Sequence, residues 1–321
     1  MRAVYATSTS ATDPLSALTV GELDDGPGPA GWVKVTLRAS SLNHHDLFSL
    51  KGVGLPAERL PMILGCDGAG VDEAGNEVVV HAVVASPGWR GDETLDPRRT
   101  LLSELHPGTM ADHVWVPAAN LVPKPAELSW EEAACLPTAW LTAYKMLFYV
   151  SGAAPGATIL IQGAGGGVST ALVAMAARAG YRVWVIGRTE AKRGAAVALG
   201  AHAAFESGAR LPEKVDVVFD SVGDATWAHS LRSLKPGGAV VTCGATTGFN
   251  PPAELNRVFF TQLRVLGSTM GSRDQLAGLL QFLAATGVRP RIDSVLPLER
   301  AREGFARLLA GEATGKIVFT H

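Results

Sequence analysis

The alternation of apolar and polar residues divides the chain near Ser129. Before that point it predicts short strands and turns, because Trp32–Arg38 alternates with a period of two. Val78–Val80 and His113–Val116 are short apolar runs in a region punctuated by Gly and Pro, and they predict further strands. Residues 87–109 are polar and irregular, which predicts a surface segment. We therefore expect strands rather than helices in the first 125 residues or so.

After Ser129 the pattern predicts strands that alternate with helices. Ser129 and Glu132 have the spacing of a capping box, so a helix should run to about Val150, with a break or kink at Pro137. Alternation at this spacing is typical of a parallel, doubly wound sheet. Ile317–Phe319 is predicted as a closing strand. The predicted central strands are Thr158–Gln162, Arg182–Ile186, Val215–Asp220, Ala239–Cys243 and Arg264–Leu266, and the helices include Val168–Ala179 and Glu190–Leu199.

Composition and charge narrow the class of protein. The 321 residues are 47% hydrophobic and 18% charged, which allows two domains with sizeable cores. A net charge of −2 argues against a nucleic-acid or membrane-surface partner. No apolar run approaches the roughly 20 residues that span a bilayer, and the strand-like Met1–Tyr5 lacks a signal peptide's apolar region, so we expect a cytoplasmic protein. The three cysteines form no CxxC pair, which argues against a four-cysteine zinc lobe.

The strongest signal for a ligand lies where the first central strand runs into a glycine cluster. Glycines let the backbone approach a pyrophosphate, and the N–H groups at the start of a helix then face the anion. The cluster departs from G-x-G-x-x-G, because the outer positions are Ala164 and Ser169. A flexible turn is the alternative, but the strand before and the helix after favour dinucleotide binding. The residues predicted to line the phosphates are Ala164, Gly165, Gly166, Gly167 and Val168.

The end of the second central strand favours NADPH over NADH. An acidic residue there would bind the ribose 2′-hydroxyl of NADH, but the position is Gly187. Arg188 follows, and a guanidinium suits a 2′-phosphate. Thr189 could add a hydroxyl contact and Lys192 a further positive charge. The alternative is that Arg188 is a solvated surface residue and Glu190 binds the ribose.

Several further segments resemble the signatures of the medium-chain dehydrogenase/reductase superfamily. In chain order they are Ser40–Asp46, Ile63–Gly70, Gly108–Val114, Leu136–Tyr144, Asp220–Gly223, Leu266–Ser268 and Gly315–Val318. The resemblance covers essentially the whole chain. It implies an α/β protein with a GroES-like β-barrel catalytic domain (1–125 and 271–321), a Rossmann domain (126–270), an active site in the cleft between them, and a homodimer.

The resemblance also assigns further cofactor contacts. Ser221 and Val222 are expected on the adenosine side. The residues expected along the nicotinamide half are Cys243, Gly244, Ala245, Leu266, Gly267 and Ser268.

The positions that hold the catalytic zinc in alcohol dehydrogenases of this superfamily carry other residues here. They match Asn43, Cys66, Asp67 and Thr138 in place of cysteine, histidine, glutamate and cysteine. Asparagine and threonine are poor zinc ligands, and residues 87–110, where a structural zinc lobe is expected, contain no cysteine. We therefore expect no metal. The alternative is a rearranged site that uses His44 or His45 with Cys66 and Asp67.

Chemistry without a metal favours reduction of an activated double bond over oxidation of a simple alcohol, which needs its alkoxide stabilised. Hydride added to an electrophilic carbon leaves charge on a carbonyl oxygen, which needs a hydrogen-bond donor and a proton source. Asn43 is the candidate that orients substrate or nicotinamide ribose, and His44, ahead of His45, is the candidate proton donor. Thr138 is expected to contact nicotinamide or substrate. Asp46 is expected to cap or bond backbone.

These observations predict an NADPH-dependent oxidoreductase that reduces a small quinone, enone or alkenal without zinc. Two alternatives stay open. One is an alcohol dehydrogenase with an atypical zinc site. The other is a non-catalytic NADPH-binding protein, such as a redox sensor.

Overall fold

The structure, a computed structural model, describes residues 1–24 and 26–321, which form two compact units. The first comprises Met1–Thr138, Gly271–Ala285 and Ile292–His321, and the second comprises Ala139–Met270 and Thr286–Arg291. Residues 126–138, which the sequence assigns to the second domain, group with the first unit. No helix within the described residues is long and apolar enough to cross a membrane.

The strands of the described residues, in chain order, are β1 (Arg2–Ala6), β2 (Leu18–Glu22), β3 (Trp32–Ser41), β4 (Met62–Ile63), β5 (Asp67–Asp72), β6 (Glu77–Val80), β7 (Val83–Val84), β8 (Thr100–Leu101), β9 (His113–Pro117), β10 (Leu121–Pro123), β11 (Thr158–Gln162), β12 (Arg182–Ile186), β13 (Ala203–Phe205), β14 (Val215–Asp220), β15 (Leu234–Thr242), β16 (Arg264–Gly267), β17 (Ile292–Pro297) and β18 (Lys316–Thr320). The α-helices are α1 (His44–Leu50), α2 (Trp130–Ala134), α3 (Leu141–Lys145), α4 (Gly167–Arg178), α5 (Glu190–Ala198), α6 (Asp224–Ser233), α7 (Leu255–Phe260), α8 (Arg273–Thr286) and α9 (Ala301–Leu309).

The first unit is mainly β-structure, as the sequence predicts. Its largest sheet has the strand order β10-β6-β5-β3-β18-β17, with β9 also paired to β3. The long strand β3 is central because its carboxyl half is buried and is paired with both β5 and β18. The closing strand predicted at Ile317–Phe319 is β18, and it brings the end of the chain back to β3.

The helix α1 contradicts the expectation of strands and turns alone in this region. Asn43 is its N-cap in an extended conformation, and the Asp46 carboxylate accepts a hydrogen bond from the Asn43 backbone N–H at 2.8 Å. Leu47 and Leu50 bury the other face of the helix. The capping pair Asn43–Asp46 was the local signal, and seven residues are too few for apolar periodicity to reveal a helix.

The prediction of a surface segment at 87–109 is correct only for part of that range. Residues 87–91 are exposed, but Leu102 and Ser103 are fully buried, and β8 pairs with β7. The last third of the segment therefore belongs to the packed interior. The helix predicted from Ser129 to Val150 is interrupted as expected: α2 ends at Ala134, and Leu136–Trp140, which includes Pro137, is a π-helical turn.

The second unit contains the predicted doubly wound sheet. Its six strands are all parallel, in the order β13-β12-β11-β14-β15-β16. The strand order reverses beside β11, so the carboxyl end of β11 lies at the point where such sheets bind ligands. The strand β13 was not predicted, because three half-buried residues carry too little periodicity.

Candidate functional site

One of the predicted catalytic residues, Asn43, lies at the point where β3 ends, beside polar side chains from two neighbouring strands. Ser41, the last residue of β3, lies opposite Asp67 of β5 and opposite Val318 of β18. The antiparallel register places Lys316, two residues before Val318, beside Asn43, which follows β3. Three neighbouring strands thus bring a carboxylate, a carboxamide and an ammonium to one end of the sheet.

These side chains form one buried hydrogen-bond network. The ammonium of Lys316 donates to Asp67 Oδ2 at 2.9 Å, Asn43 Oδ1 at 2.6 Å and Leu42 O at 2.8 Å. Asp67 Oδ2 also accepts from Asn43 Nδ2 at 2.8 Å and from Ser41 Oγ at 2.7 Å. Lys316 is 2% exposed and Asp67 is fully buried. Sequence reasoning missed Lys316; the signal was a lysine opening an apolar strand, which requires a buried anion as partner.

The zinc-ligand positions of this network do not fit a metal ion. The oxygens of Asn43 and Asp67 already accept hydrogen bonds from an ammonium, and a second cation at the same oxygens would be repelled. Burial raises the pKa of the Cys66 thiol, whereas a zinc ligand must be a thiolate. In the part of the chain that the structure describes, no three His, Cys, Asp or Glu residues are grouped to hold a metal ion.

His45 links the same region to two further polar groups. Its Nδ1 lies 3.5 Å from Cys66 Sγ, and its Nε2 lies 2.8 Å from Glu104 Oε1. The Cys66 thiol donates to Leu102 O at 3.2 Å, so its sulfur is left to accept from His45. Each ring nitrogen of His45 thus faces a possible acceptor, the Cys66 sulfur or the Glu104 carboxylate, and an imidazolium would donate to both.

Electrostatics agrees with a protonated His45. Burial alone would lower the pKa of His45, but the contacts with the Cys66 sulfur and the carboxylates of Glu104 and Asp46 outweigh it and raise that pKa well above its ordinary value. His44, the proton donor that the sequence favours, is an exposed residue beside it. The structure thus joins His45 to Cys66 and Glu104 through the contacts described above.

Asp46 and Thr138 occupy different settings. The Asp46 carboxylate is fully buried and accepts from the backbone N–H groups of Asn43 and Gly65, so it fixes the start of α1. Burial raises the pKa of Asp46. Thr138 lies in the π-helical turn, and within the described chain its buried hydroxyl has no hydrogen-bond partner. It is not joined to the Lys316 network.

The predicted dinucleotide site lies at the carboxyl end of β11 in the second unit. Gly163 turns the chain with a φ of +85°, and α4 follows with Gly166 as its N-cap. Gly166 has a φ of −73°, and a Cβ there would meet only Ser169 Oγ at 3.7 Å. Neither backbone strain nor packing therefore requires glycine at 166. The open space beside the helix N-terminus fits a pyrophosphate group.

The end of β12 has no room for an acidic side chain. A Cβ on Gly187 would lie 2.8 Å from Ala164 Cβ and from Arg193 Cγ. The guanidinium of Arg193 donates to Gly187 O at 2.9 Å and pairs with Glu206. Arg188 is exposed at the start of the turn. Thr189 caps α5 by accepting from Lys192 N at 3.3 Å.

The remaining predicted cofactor residues follow the other strands at the same edge. Ser221 and Val222 follow β14, where the buried Asp220 carboxylate accepts from Val222 N at 2.8 Å. The residues after or at the ends of β15 and β16 are Cys243, Gly244, Ala245, Leu266, Gly267 and Ser268. Burial raises the pKa of Cys243 to about 12, which suits a packing role for its thiol. The second unit thus gathers all the predicted dinucleotide contacts at the carboxyl edge of one parallel sheet.

Comparison with known proteins identifies the family. Residues 29–126 match the alcohol dehydrogenase GroES-like domain, and residues 167–285 match the zinc-binding dehydrogenase family. The alcohol dehydrogenase of Geobacillus stearothermophilus is 31% identical, over 94% of this chain and 95% of that protein. The chain belongs to the medium-chain dehydrogenase/reductase superfamily of oxidoreductases.

Other superfamily members extend the similarity. The acryloyl-coenzyme A reductase of Metallosphaera sedula is 27% identical, over 94% of this chain and 96% of that protein. The crystal structure of an NAD-dependent alcohol dehydrogenase is 34% identical, with a TM-score of 0.90 over the whole of both chains. The superfamily fold predicted from the sequence, a GroES-like domain and a Rossmann domain, is thereby confirmed.

Proposed function

We propose that this medium-chain dehydrogenase/reductase is an NADPH-dependent reductase of small quinones, enones or alkenals that works without a catalytic metal. The observation that carries this proposal is the ammonium of Lys316 hydrogen-bonded to oxygens at two zinc-ligand positions, Asn43 and Asp67. The similarity to an acryloyl-coenzyme A reductase supports the proposal, because an acryloyl group is an activated alkene. The test is NADPH oxidation by the purified protein with a panel of quinones, enones and alkenals. Turnover with none of them would contradict the proposal.

The chain's own residues suit NADPH at the second unit's sheet edge. The backbone N–H groups at the start of α4 would bind the pyrophosphate, with Gly166 leaving room for it. Arg188 would pair with the 2′-phosphate, and Thr189 and Lys192 lie in the same turn. Once bound, the nucleotide supplies the hydride. The NAD-dependent relative and Glu190 at the start of α5 support NADH as the second candidate cofactor.

Replacing Arg188 with alanine should distinguish the two nucleotides. We expect the Kd for NADPH to rise about 10- to 100-fold, the range of one or two charge-assisted hydrogen bonds. The Kd for NADH should not change, because NADH lacks the 2′-phosphate. Isothermal titration with each nucleotide measures both. Arg182→Ala, at the opposite end of β12, is the matched control and should alter neither Kd. Equal losses for both nucleotides would refute this role of Arg188.

We propose that the polar residues of the first unit handle the substrate. Asn43 is 8% exposed and would orient substrate or nicotinamide ribose. Thr138, whose hydroxyl has no partner in residues 1–24 and 26–321, would contact nicotinamide or substrate. Asp46 would act through Asn43, whose backbone it holds.

Two adjacent histidines, His44 and His45, are candidates for the proton donor. We propose His45, because its ring contacts both Cys66 and Glu104. We expect His45→Gln to lower kcat for enone reduction by about 10²- to 10⁴-fold, the usual contribution of a general acid. His44→Gln is the matched control, and its kcat should stay near the wild-type value. Steady-state kinetics at saturating enone measures both. The reverse pattern would assign the proton to His44.

A homodimer joined at the edges of two parallel sheets is also proposed. The edge strand β16 exposes Val265 by 48%, and the neighbouring helix α7 exposes Phe259 and Phe260 by 62% and 78%. Unpaired edge strands and large exposed apolar side chains favour association. Sedimentation should give twice the 33.5 kDa chain mass, and Val265→Lys should give the monomer. Val295→Lys, equally exposed on the edge strand β17, should remain dimeric. A monomeric wild-type protein would exclude the proposal.

A further inference from the structure

The Lys316 ammonium is a fixed, fully bonded cation. An ammonium has three N–H donors, and here three oxygens accept them at 2.6 to 2.9 Å. Lys316 is 2% exposed, so water does not compete for these bonds. Its charge therefore acts on its neighbours at close range and with little screening.

Asp67 balances this charge and holds the network together. Its Oδ2 atom accepts from Lys316, Asn43 and Ser41. Its Oδ1 atom is buried and has no hydrogen-bond partner in the described part of the chain. A buried carboxylate is tolerated when an opposite charge pairs with it, and Lys316 supplies that charge.

The carboxamide of Asn43 is bonded at both ends. Its Oδ1 atom accepts from Lys316 at 2.6 Å, while one N–H of its Nδ2 group donates to Asp67. The second N–H of Nδ2 is not used in this network. A cation at the amide oxygen draws electron density from the amide nitrogen, so the remaining N–H becomes a stronger donor.

We propose that Lys316 is a positioning residue that polarises Asn43, and that the second Asn43 N–H donates to the substrate's carbonyl oxygen. This rests on the proposed reductase function. Hydride added to the β-carbon of an enone moves the alkene electron pair towards that oxygen, giving an enolate. The enolate then takes a proton at its α-carbon from His45, the proposed proton donor; the hydride donor is oxidised and the alkene is reduced. A preorganised donor at the oxygen stabilises this developing charge.

The test is a double-mutant cycle with Lys316→Met and Asn43→Ala. Its readout is kcat for NADPH oxidation with cyclohex-2-enone or with the best substrate of the panel. We expect each single change to lower kcat by about 10²-fold, the cost of one oxyanion donor. The double variant should be no slower than Asn43→Ala alone, because Lys316 acts through Asn43. Because this proposal assigns the second Asn43 N–H to the substrate carbonyl and not to the nicotinamide ribose, the Kd for NADPH should be unchanged throughout. Lys316→Arg keeps the charge and should restore most of the lost rate.

A second variant keeps the proposal testable if Lys316→Met does not fold. Lys316→Met combined with Asp67→Asn removes both charges and leaves no unpaired buried ion. In wild-type protein the carbonyl stretch of bound cyclohex-2-enone should shift to lower frequency, and in this variant the shift should shrink. Independent, multiplicative losses of kcat, or an unchanged carbonyl shift, would overturn the role of Lys316 alone. A wild-type protein that binds NADPH but reduces no member of the panel would overturn the proposed function as well.

Discussion

Replacing Asp67 with alanine is expected to lower the free energy of unfolding by about 3 to 5 kcal/mol, the cost of breaking a buried ion pair. The change leaves the Lys316 ammonium buried, with only Asn43 Oδ1 and Leu42 O to accept its hydrogen bonds. It also removes the acceptor for the Ser41 hydroxyl. Urea denaturation followed by tryptophan fluorescence measures the loss.

The matched control for Asp67 is a carboxylate in a surface ion pair. Glu303 pairs with Arg300 along the chain, and both side chains are more than half exposed. Glu303→Ala should leave the free energy of unfolding close to its wild-type value, because solvent screens such pairs. If Asp67→Ala lowered the free energy of unfolding no more than Glu303→Ala does, the Lys316–Asp67 ion pair would not stabilise the first unit as we expect.

Replacing Gly166 with alanine is expected to weaken NADPH binding without harming the fold. A Cβ at this position meets no protein atom closer than 3.7 Å, and the backbone φ of −73° suits any L-residue. A bound pyrophosphate needs the same space, because the middle glycine of such turns lets the backbone approach it. We expect the Kd for NADPH to rise at least about 10-fold, equivalent to about 1.4 kcal/mol. Titration of nucleotide fluorescence measures it.

Thermal unfolding and a second glycine complete the experiment on Gly166. The melting temperature of Gly166→Ala should stay close to that of wild type, because the only expected cost is the weaker N-cap preference of alanine. Gly194→Ala, in α5, also introduces a Cβ into open space; it should leave the NADPH Kd unchanged and raise the melting temperature slightly, because alanine favours a helix interior. A Gly166→Ala protein with wild-type NADPH affinity would remove the glycine turn from the nucleotide site.

Local signals predict the second unit well. The strand Thr158–Gln162 agrees to the residue, and the helix after the glycine turn begins one residue earlier than expected. Buried parallel strands are continuous apolar runs, and the glycines between strand and helix punctuate them. Short elements such as β13 and α1 lack that signal, because three strand residues or seven helical residues are too few to show a period.

The network at the end of β3 depends on contacts that sequence reasoning does not reach. Lys316 is separated from Asn43 by 273 residues and from Asp67 by 249, so only the folded sheet brings them together. Our proposal of His45 over His44 depends on helix geometry, since successive residues on α1 point in directions about 100° apart. The residue types at 43–46 predict polar chemistry at the end of β3, but only the folded structure shows that the Lys316 ammonium lies beside them.

We propose that pyridine nucleotide redox chemistry proceeds in this protein without a bound metal ion. The decisive experiment measures divalent metal content and NADPH-dependent reductase activity on the same purified sample, before and after treatment with a chelator. We expect far less than one metal ion per chain and an activity that the chelator does not change. One tightly held zinc per chain, whose removal abolishes the activity and whose return restores it, would show that the enzyme depends on a metal.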